Sequence, residues 1–345
     1  MKKSKLISVL KYIFFLGIGL ALLWHVTSGH DYEEFVNEFK YANYYWIGFA
    51  MCCGAVSHVI RALRWNLLIN SMGYKTKFST TFYAVMLGYF ANLIVPRLGE
   101  ISRCALLKKH ENIPFNALLG TVVAERIFDF LCLVLIAILV VYFQFDFLKG
   151  FINAYFYGPL FSQLTSNVWL LLFAFVLFIV LAVIAFFVLK AFYSRHKEKS
   201  IVYKVRNLAL GFADGIKTIK RVPHKILFLT HTLLIWVLYF FMTYLCFFSL
   251  QATSHLTIAD GFTILVMGSL GIVAPVPGGI GAYHFIVIMT LVELFGIAAT
   301  PATSLAYISH TSQTLLILLL SLVSFIGLMF VAKKNKKNAH PRAHK

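Results

Sequence analysis

Acidic residues are scarce in this chain. It has 13 Asp and Glu against 31 Lys and Arg in 345 residues, a net charge of +18. Charge of either sign is scarce too, at 13%. A soluble domain must cover its surface with polar groups and carries about 25% charged residues, so that class is excluded. Long polar segments are missing: the longest run to about 35 residues, which leaves no room for a soluble catalytic domain. There is no Walker A loop, H-E-x-x-H, G-x-S-x-G or dinucleotide fingerprint. The five cysteines (Cys52, Cys53, Cys104, Cys132, Cys246) make no C-x-x-C pair, so neither a disulfide framework nor a zinc site is indicated. No cofactor and no metal is expected. Nor is nucleic acid, because the basic residues fall in short blocks between apolar runs, the positive-inside pattern of a membrane protein. Attraction of anionic lipid headgroups is a second use for such blocks.

What is present is apolar. Hydrophobic residues make up 60% of the chain and mean hydropathy is +0.81. Long apolar runs cover about 10–27, 44–63, 115–143, 167–190, 225–250 and 303–331, each near or above the ~20 residues that cross a bilayer core. Two more, 79–107 and 259–298, are interrupted by Pro and Gly. Lys2, Lys3, Lys5 and Lys11 precede the first run, and no A-x-A-like site follows it. A retained first helix is expected rather than a signal peptide. The fold class is an all-α polytopic membrane protein.

Basic loops assign the sides. Residues 1–11, the loop with Lys75 and Lys77, the segment 190–225 and the tail from 332 to 345 are read as cytoplasmic. The acidic segment 28–43 and the sparse segment 144–166 are read as outside. Residues 200–221, with apolar positions every three or four residues, read as an amphipathic helix linking two halves. Parity then requires 79–107 to enter from the cytoplasm and return to it, as a re-entrant hairpin broken at 96–99. It requires 259–298 to begin and end outside, broken at 274–281, as a second hairpin or two full spans. The expectation is about six full spans plus two hairpins, with both termini cytoplasmic. The breaks VPRLG at Val95 and APVPG at Ala274 align at an offset of 179 residues. A first repeat over 10–143 and a second over 167–331, of opposite orientation, form one membrane domain of inverted-topology repeats.

The candidate site gathers at the breaks, where unpaired backbone is tolerable only if buried by protein or facing a wet cavity. In NLIVPRLGEISR (92–103), Asn92, Arg97, Glu100 and Arg103 would face a cavity; an interfacial turn with its charges in headgroups is the alternative. Arg61 and Arg64 share a helix face and suit phosphate, or else serve as snorkelling anchors. Glu125, Arg126 and Asp129 lie about ten residues into a span, near mid-depth, as a site or as a compensated buried cluster. Gly278, Gly279, Gly281 and His284 form the second break, with Glu293, Ser304, His310, Ser312 and Gln313 as its polar surroundings.

RALRWNLL from Arg61, NLIVPRLGEISR, ERIFD from Glu125 and PGGIG from Pro277, in that order, resemble the lysylphosphatidylglycerol synthase transmembrane-region family, the flippase-like domain of the multiple peptide resistance factor. The resemblance covers about 10–331. It implies movement of a phospholipid or other anionic lipid between leaflets of an inner membrane. The soluble aminoacyl-transferring domain of bifunctional relatives is not matched here, so lysyl transfer is not implied. Tyr283 and His284 stand where relatives often carry an acid, which leaves the headgroup open. The resulting expectation is a lipid flippase or transporter, not an enzyme, with a homo-oligomer admitted. The alternatives are a membrane-embedded enzyme on a lipid-linked substrate, with Glu125 or Asp129 as general base, and a non-catalytic regulator of lipid enzymes.

Overall fold

The computed structural model describes residues 2–28, 32–145 and 224–339. The expected outer loop, span 167–190, basic loop and amphipathic linker lie, apart from their first or last residues, in 146–223, outside the described residues. All regular structure among the described residues is helical. Ten α-helices are numbered here: α1 Lys2–Thr27, α2 Tyr32–Tyr41, α3 Tyr44–Ser71, α4 Phe78–Ile94, α5 Leu98–Glu111, α6 Phe115–Phe143, α7 Lys225–Phe247, α8 Ile258–Val273, α9 Ala282–Met289 and α10 Ala299–Ala339. Among the described residues, α3, α6, α7, Pro277–Leu294 and Ala299–Ala332 are long and apolar enough to cross a membrane. The chain is a polytopic membrane protein.

Two features add to the sequence reading. The segment 28–43, read only as acidic and outside, contains α2, docked on α10: the Thr300 hydroxyl donates to Glu34 at 3.0 Å and Phe35 meets Tyr307 edge-on. The last span also continues as helix to Ala339, into the stretch read as a tail.

Both interrupted regions fold as helical hairpins. α4 stops where Pro96 removes a donor and Val95 turns extended, with φ −132°. Arg97 takes a left-handed conformation, φ 64°, and α5 returns against α4. The return is close because two glycines face each other. A Cβ on Gly99 would strike the Gly88 carbonyl, and one on Gly88 would come within 3.0 Å of the Gly99 carbonyl. Asn92 accepts from the Gly99 amide at 2.6 Å and so satisfies one open donor at the start of α5. Seventeen and fourteen residues give legs of about 26 and 21 Å, short of the ~30 Å hydrocarbon core. α8, at sixteen residues, is similarly short. Its break runs from 274 to 281 and holds Gly278, Gly279 and Gly281 at positive φ before α9 and a π-turn, Thr290–Leu294.

The hairpins enter from opposite faces of the bundle. Asn43 at the start of α3 bonds Ser249 just beyond α7. Gln144 at the end of α6 donates to Asp260 in the first turn of α8, and Thr263 donates back to Gln144. These contacts gather one face. On the other, Asn66 near the end of α3 accepts from Thr76 just before α4, and Ile69, Leu107, Ile113 and Leu118 share one apolar cluster. The two breaks then meet inside, where Gly278 lies against Leu93 near the end of α4.

Two outcomes follow from this packing. Gly99→Ala drives a methyl into backbone and is expected to destabilise by about 1–3 kcal/mol, whereas Gly120→Ala, with nothing within 4 Å, should cost nothing; thermal unfolding in nanodiscs compares them. Cysteines placed at Lys108 and at Ser254, both exposed on opposite faces, should react with impermeant reagent from opposite sides of a sealed vesicle. Labelling from one side would refute opposed entry.

Candidate functional site

Where α3, α5, α6 and α7 converge, the structure packs charge instead of apolar side chains. Along α3 the buried stripe passes Ile47, Ala50, Gly54, Ser57 and His58 and then reaches Arg61, Arg64, Trp65 and Leu68. The same helical period that buries alanine above buries arginine below. Arg61 and Arg64 are 3% and 0% exposed, so neither snorkels to an interface. Arg61 pairs with Asp129 at 2.9 Å and donates to the Tyr239 hydroxyl at 2.8 Å. Arg64 pairs with Asp129 at 2.8 Å and approaches Glu125 at 3.5 Å, and it donates to Thr232. Arg103, brought in by the return leg of the first hairpin, donates to Glu125 at 2.7 Å and lies over the Trp65 ring at 4.4 Å. Trp65 is itself anchored, its indole N–H donating to Thr121 at 2.8 Å.

Four guanidiniums (Arg61, Arg64, Arg103, Arg126) face three carboxylates (Glu100, Glu125, Asp129), an excess of one positive charge. Asp129 is the fifteenth of 29 residues in α6, so the cluster sits at the middle of a crossing helix. Hydrogen bonding is incomplete: Arg61 Nε, Arg64 Nη2, Arg103 Nε and Glu100 Oε2 are buried with no partner among the described residues. Buried charge is costly unless its remaining donors and acceptors are met, and the arrangement therefore leaves unused capacity for a polar ligand.

Arg126 differs from the other three. Its side chain is 44% exposed, and it stands 3.6 Å from Glu100 and 3.9 Å from Asp129, beyond good hydrogen-bonding distance. With Glu100, Arg103, Asn92, Gly99, Gly88, Tyr89 and Val85 it lines a pocket of about 10 Å³, room for roughly one water molecule. Arg97 does not join this group. It is exposed on the turn between α4 and α5 and ion-pairs with no described residue.

The second break has its own polar shell. The His310 ring nitrogen Nε2 lies 2.9 Å from the Gly278 carbonyl, and the His284 and His310 ring centroids are 4.6 Å apart. Tyr283 and Ser309 hydroxyls bond at 2.9 Å. Gly279 is buried at φ +74°, with its Cβ position 3.2 Å from Ile272 Cα, so any side chain there is strained. The break is thus close-packed, and a leucine at 279 would disrupt structure as well as fill space. Glu293 is half-buried in the π-turn and lies outside this shell.

Arg61, Arg64, Glu100, Arg103, Glu125, Arg126 and Asp129 are therefore brought together, Asn92 lies at the pocket rim, and Gly278, Gly279, Gly281 and His284 form a separate locus one step along α4. Sequence reasoning missed Tyr239 and Thr232 on α7, and Tyr89 and Gly88 on α4, since no spacing distinguishes a hydroxyl or glycine in one apolar run from the rest. Glu125→Gln should lower thermal stability strongly, by about 3–5 kcal/mol, because it strands Arg103 and Arg64. Arg126→Gln, half exposed and loosely paired, should unfold within about 1 kcal/mol of the unmodified chain; detergent melting curves make the comparison.

The comparisons with known proteins agree with this architecture. The chain is similar to the UPF0104 membrane protein MJ1595 of Methanocaldococcus jannaschii, 28% identical over 130 residues, 37% of this chain and 36% of that protein. It is also similar to Glycosyltransferase AglD of Haloferax volcanii, 30% identical over 77 residues, 22% of this chain and 12% of that one. It thus spans well under two thirds of the length of either. No solved structure matches. The family model for the lysylphosphatidylglycerol synthase TM region matches residues 9–321, nearly the whole described bundle, and the chain belongs to that family.

Proposed function

We propose that this chain moves a phospholipid, or a related lipid with an anionic headgroup, between leaflets of an inner membrane, with both termini cytoplasmic. In this reading the two hairpins are halves of an inverted-topology repeat, and the headgroup passes along the seam where their breaks meet while the acyl tails stay in the bilayer. The observation that carries the proposal is the arginine–carboxylate cluster at mid-helix, with one cation in excess and Arg126 open to the pocket. Arginine presents planar paired donors that match phosphate. Arg126 and Arg103 meet the phosphate, and Glu100 is the counter-charge that gives way. The pocket, at about 10 Å³, corresponds to a closed state, and the hairpins must part for a headgroup to enter.

A second reading rests on the relative named as a glycosyltransferase, and makes the chain an enzyme on a lipid-linked substrate. The base it needs would be Glu125 or Asp129. Glu125 is fully buried with a guanidinium at each oxygen, and Asp129 faces three arginines. The oxygens of both are already taken up by guanidiniums, so neither carboxylate is presented free to a substrate. That favours transport.

The test is the initial rate of fluorescent-phospholipid movement in proteoliposomes at matched protein density. The unmodified chain should accelerate it, and Arg126→Gln should reduce the rate at least about tenfold, or ~1.4 kcal/mol in barrier, while melting normally. An unmodified chain that moves no phospholipid overturns the proposal; a wild-type rate in Arg126→Gln removes that residue from the path.

A further inference from the structure

The second break is closed by groups that the lipid path does not use. α1 passes so close that a Cβ on Gly281 would strike the Gly19 carbonyl, and one on Gly19 would sit 2.6 Å from the Ile280 carbonyl. Two histidines from different helices then hold the break's backbone. His310 of α10 bonds the Gly278 carbonyl through Nε2 at 2.9 Å. A carbonyl can only accept, so this nitrogen carries the hydrogen. On α9, His284 takes the Gly281 amide on Nδ1 at 3.4 Å. An amide can only donate, so this nitrogen bears a lone pair, and His284 is the neutral Nε2–H tautomer. The rings lie 4.6 Å apart.

A proton added to His284 has one place to go, Nδ1. There it removes the acceptor for Gly281 and opposes two donors. A proton added to His310 leaves its Gly278 bond intact but sets a positive charge against the neighbouring ring. Among the described residues no carboxylate acts on either ring, and the described part of α1, packed against α9, adds only His25, which is exposed. Tyr283 bonds Ser309, and Tyr307, whose ring lies 4.7 Å from His284, bonds Thr27. From α7 the group facing Tyr283 is the Cys246 thiol. α4 carries no charged residue, and α8 has only Asp260, committed to its own cap and to Gln144. α2 offers Glu34, bonded to Thr300 ten residues from His310. α3 carries His58 and Arg61, which face Tyr89 of the arginine cluster.

We propose that His284 and His310 are a proton-binding pair that latches the 274–281 break shut when neutral and releases it when protonated. This gives the bundle a proton-sensitive opening at the second break, independent of the arginine cluster. Gly278 and Gly281, the two latched points, and Gly279 between them are all at positive φ and are the hinge that release sets free.

Hydrogen exchange read by mass spectrometry on the full chain in nanodiscs tests this without any transport assay. After correction for the intrinsic pH dependence of exchange, the peptide covering 274–285 should lose protection at least about tenfold between pH 8 and pH 5.5, while α3 and α7 peptides stay unchanged. In His284→Gln/His310→Gln the amide groups can still donate and accept but do not titrate, so the same peptide should show no pH response. His284→Asn and His310→Asn singly provide second variants if the double one loses α3 and α7 protection. No pH response in the unmodified chain, or an undiminished one in the folded histidine variants, overturns the proposal. A loss of lipid movement with this response intact would count against the transport reading alone.

Discussion

Glu125 holds the site together. Its two oxygens meet arginines from two different helices, Arg64 of α3 and Arg103 of α5, and its own backbone belongs to α6. The position of the first hairpin depends on that junction. α5 returns through the bundle because Arg103 has a buried carboxylate to reach and Trp65 to lie over, and α4 follows because Gly88 and Gly99 allow the legs to touch. An apolar bundle has no such directional constraint, since lipid tails are as apolar as leucine and give helices little reason to prefer one another. Charge pairing at this depth supplies the specificity that hydrophobic contact does not.

Much of this was legible in the sequence, for reasons that differ by feature. Pro96 and the Pro-Gly run from 275 act on their own backbone, so the two breaks and their flanking helices could be located from local chemistry alone. Glu125 and Asp129 at i, i+4 in an apolar run identify one polar helix face, and Arg61 with Arg64 another. What could not be read is which faces meet. Arg61 and Arg64 were equally consistent with interfacial anchors, and only packing against α6 buries them. Arg97 illustrates the converse: it sits at the break, among the residues of the motif, yet the left-handed turn directs it outward. α2 was hidden because ten residues with three glutamates carry no span signal; its helix is stabilised by docking on α10.

The two hairpins solve one problem in two ways. Each ends its first leg within the protein and must dispose of backbone groups that a continuous helix would have paired. The first does so with a side chain, Asn92 capping Gly99, and turns in three residues. The second takes eight, and uses imidazoles on α9 and α10, with the backbone of α1 packed close beside it. The shorter break delivers charge to the bundle and the longer one delivers glycine, so the seam between them is polar on one bank and conformationally free on the other.

The single positive charge left over in the cluster has an electrical consequence. Arg126 lies near the middle of a crossing helix, inside the fall of the transmembrane potential. A full unit of charge carried across 100 mV exchanges about 2.3 kcal/mol with that field. In the transport reading proposed above, a phosphate bound to Arg126 would cancel its charge, and the occupied and empty bundles would then feel the membrane voltage differently. On that reading, a rearrangement that shifts this helix toward one face would be biased by the transmembrane voltage when the site is empty and released from that bias when it is filled.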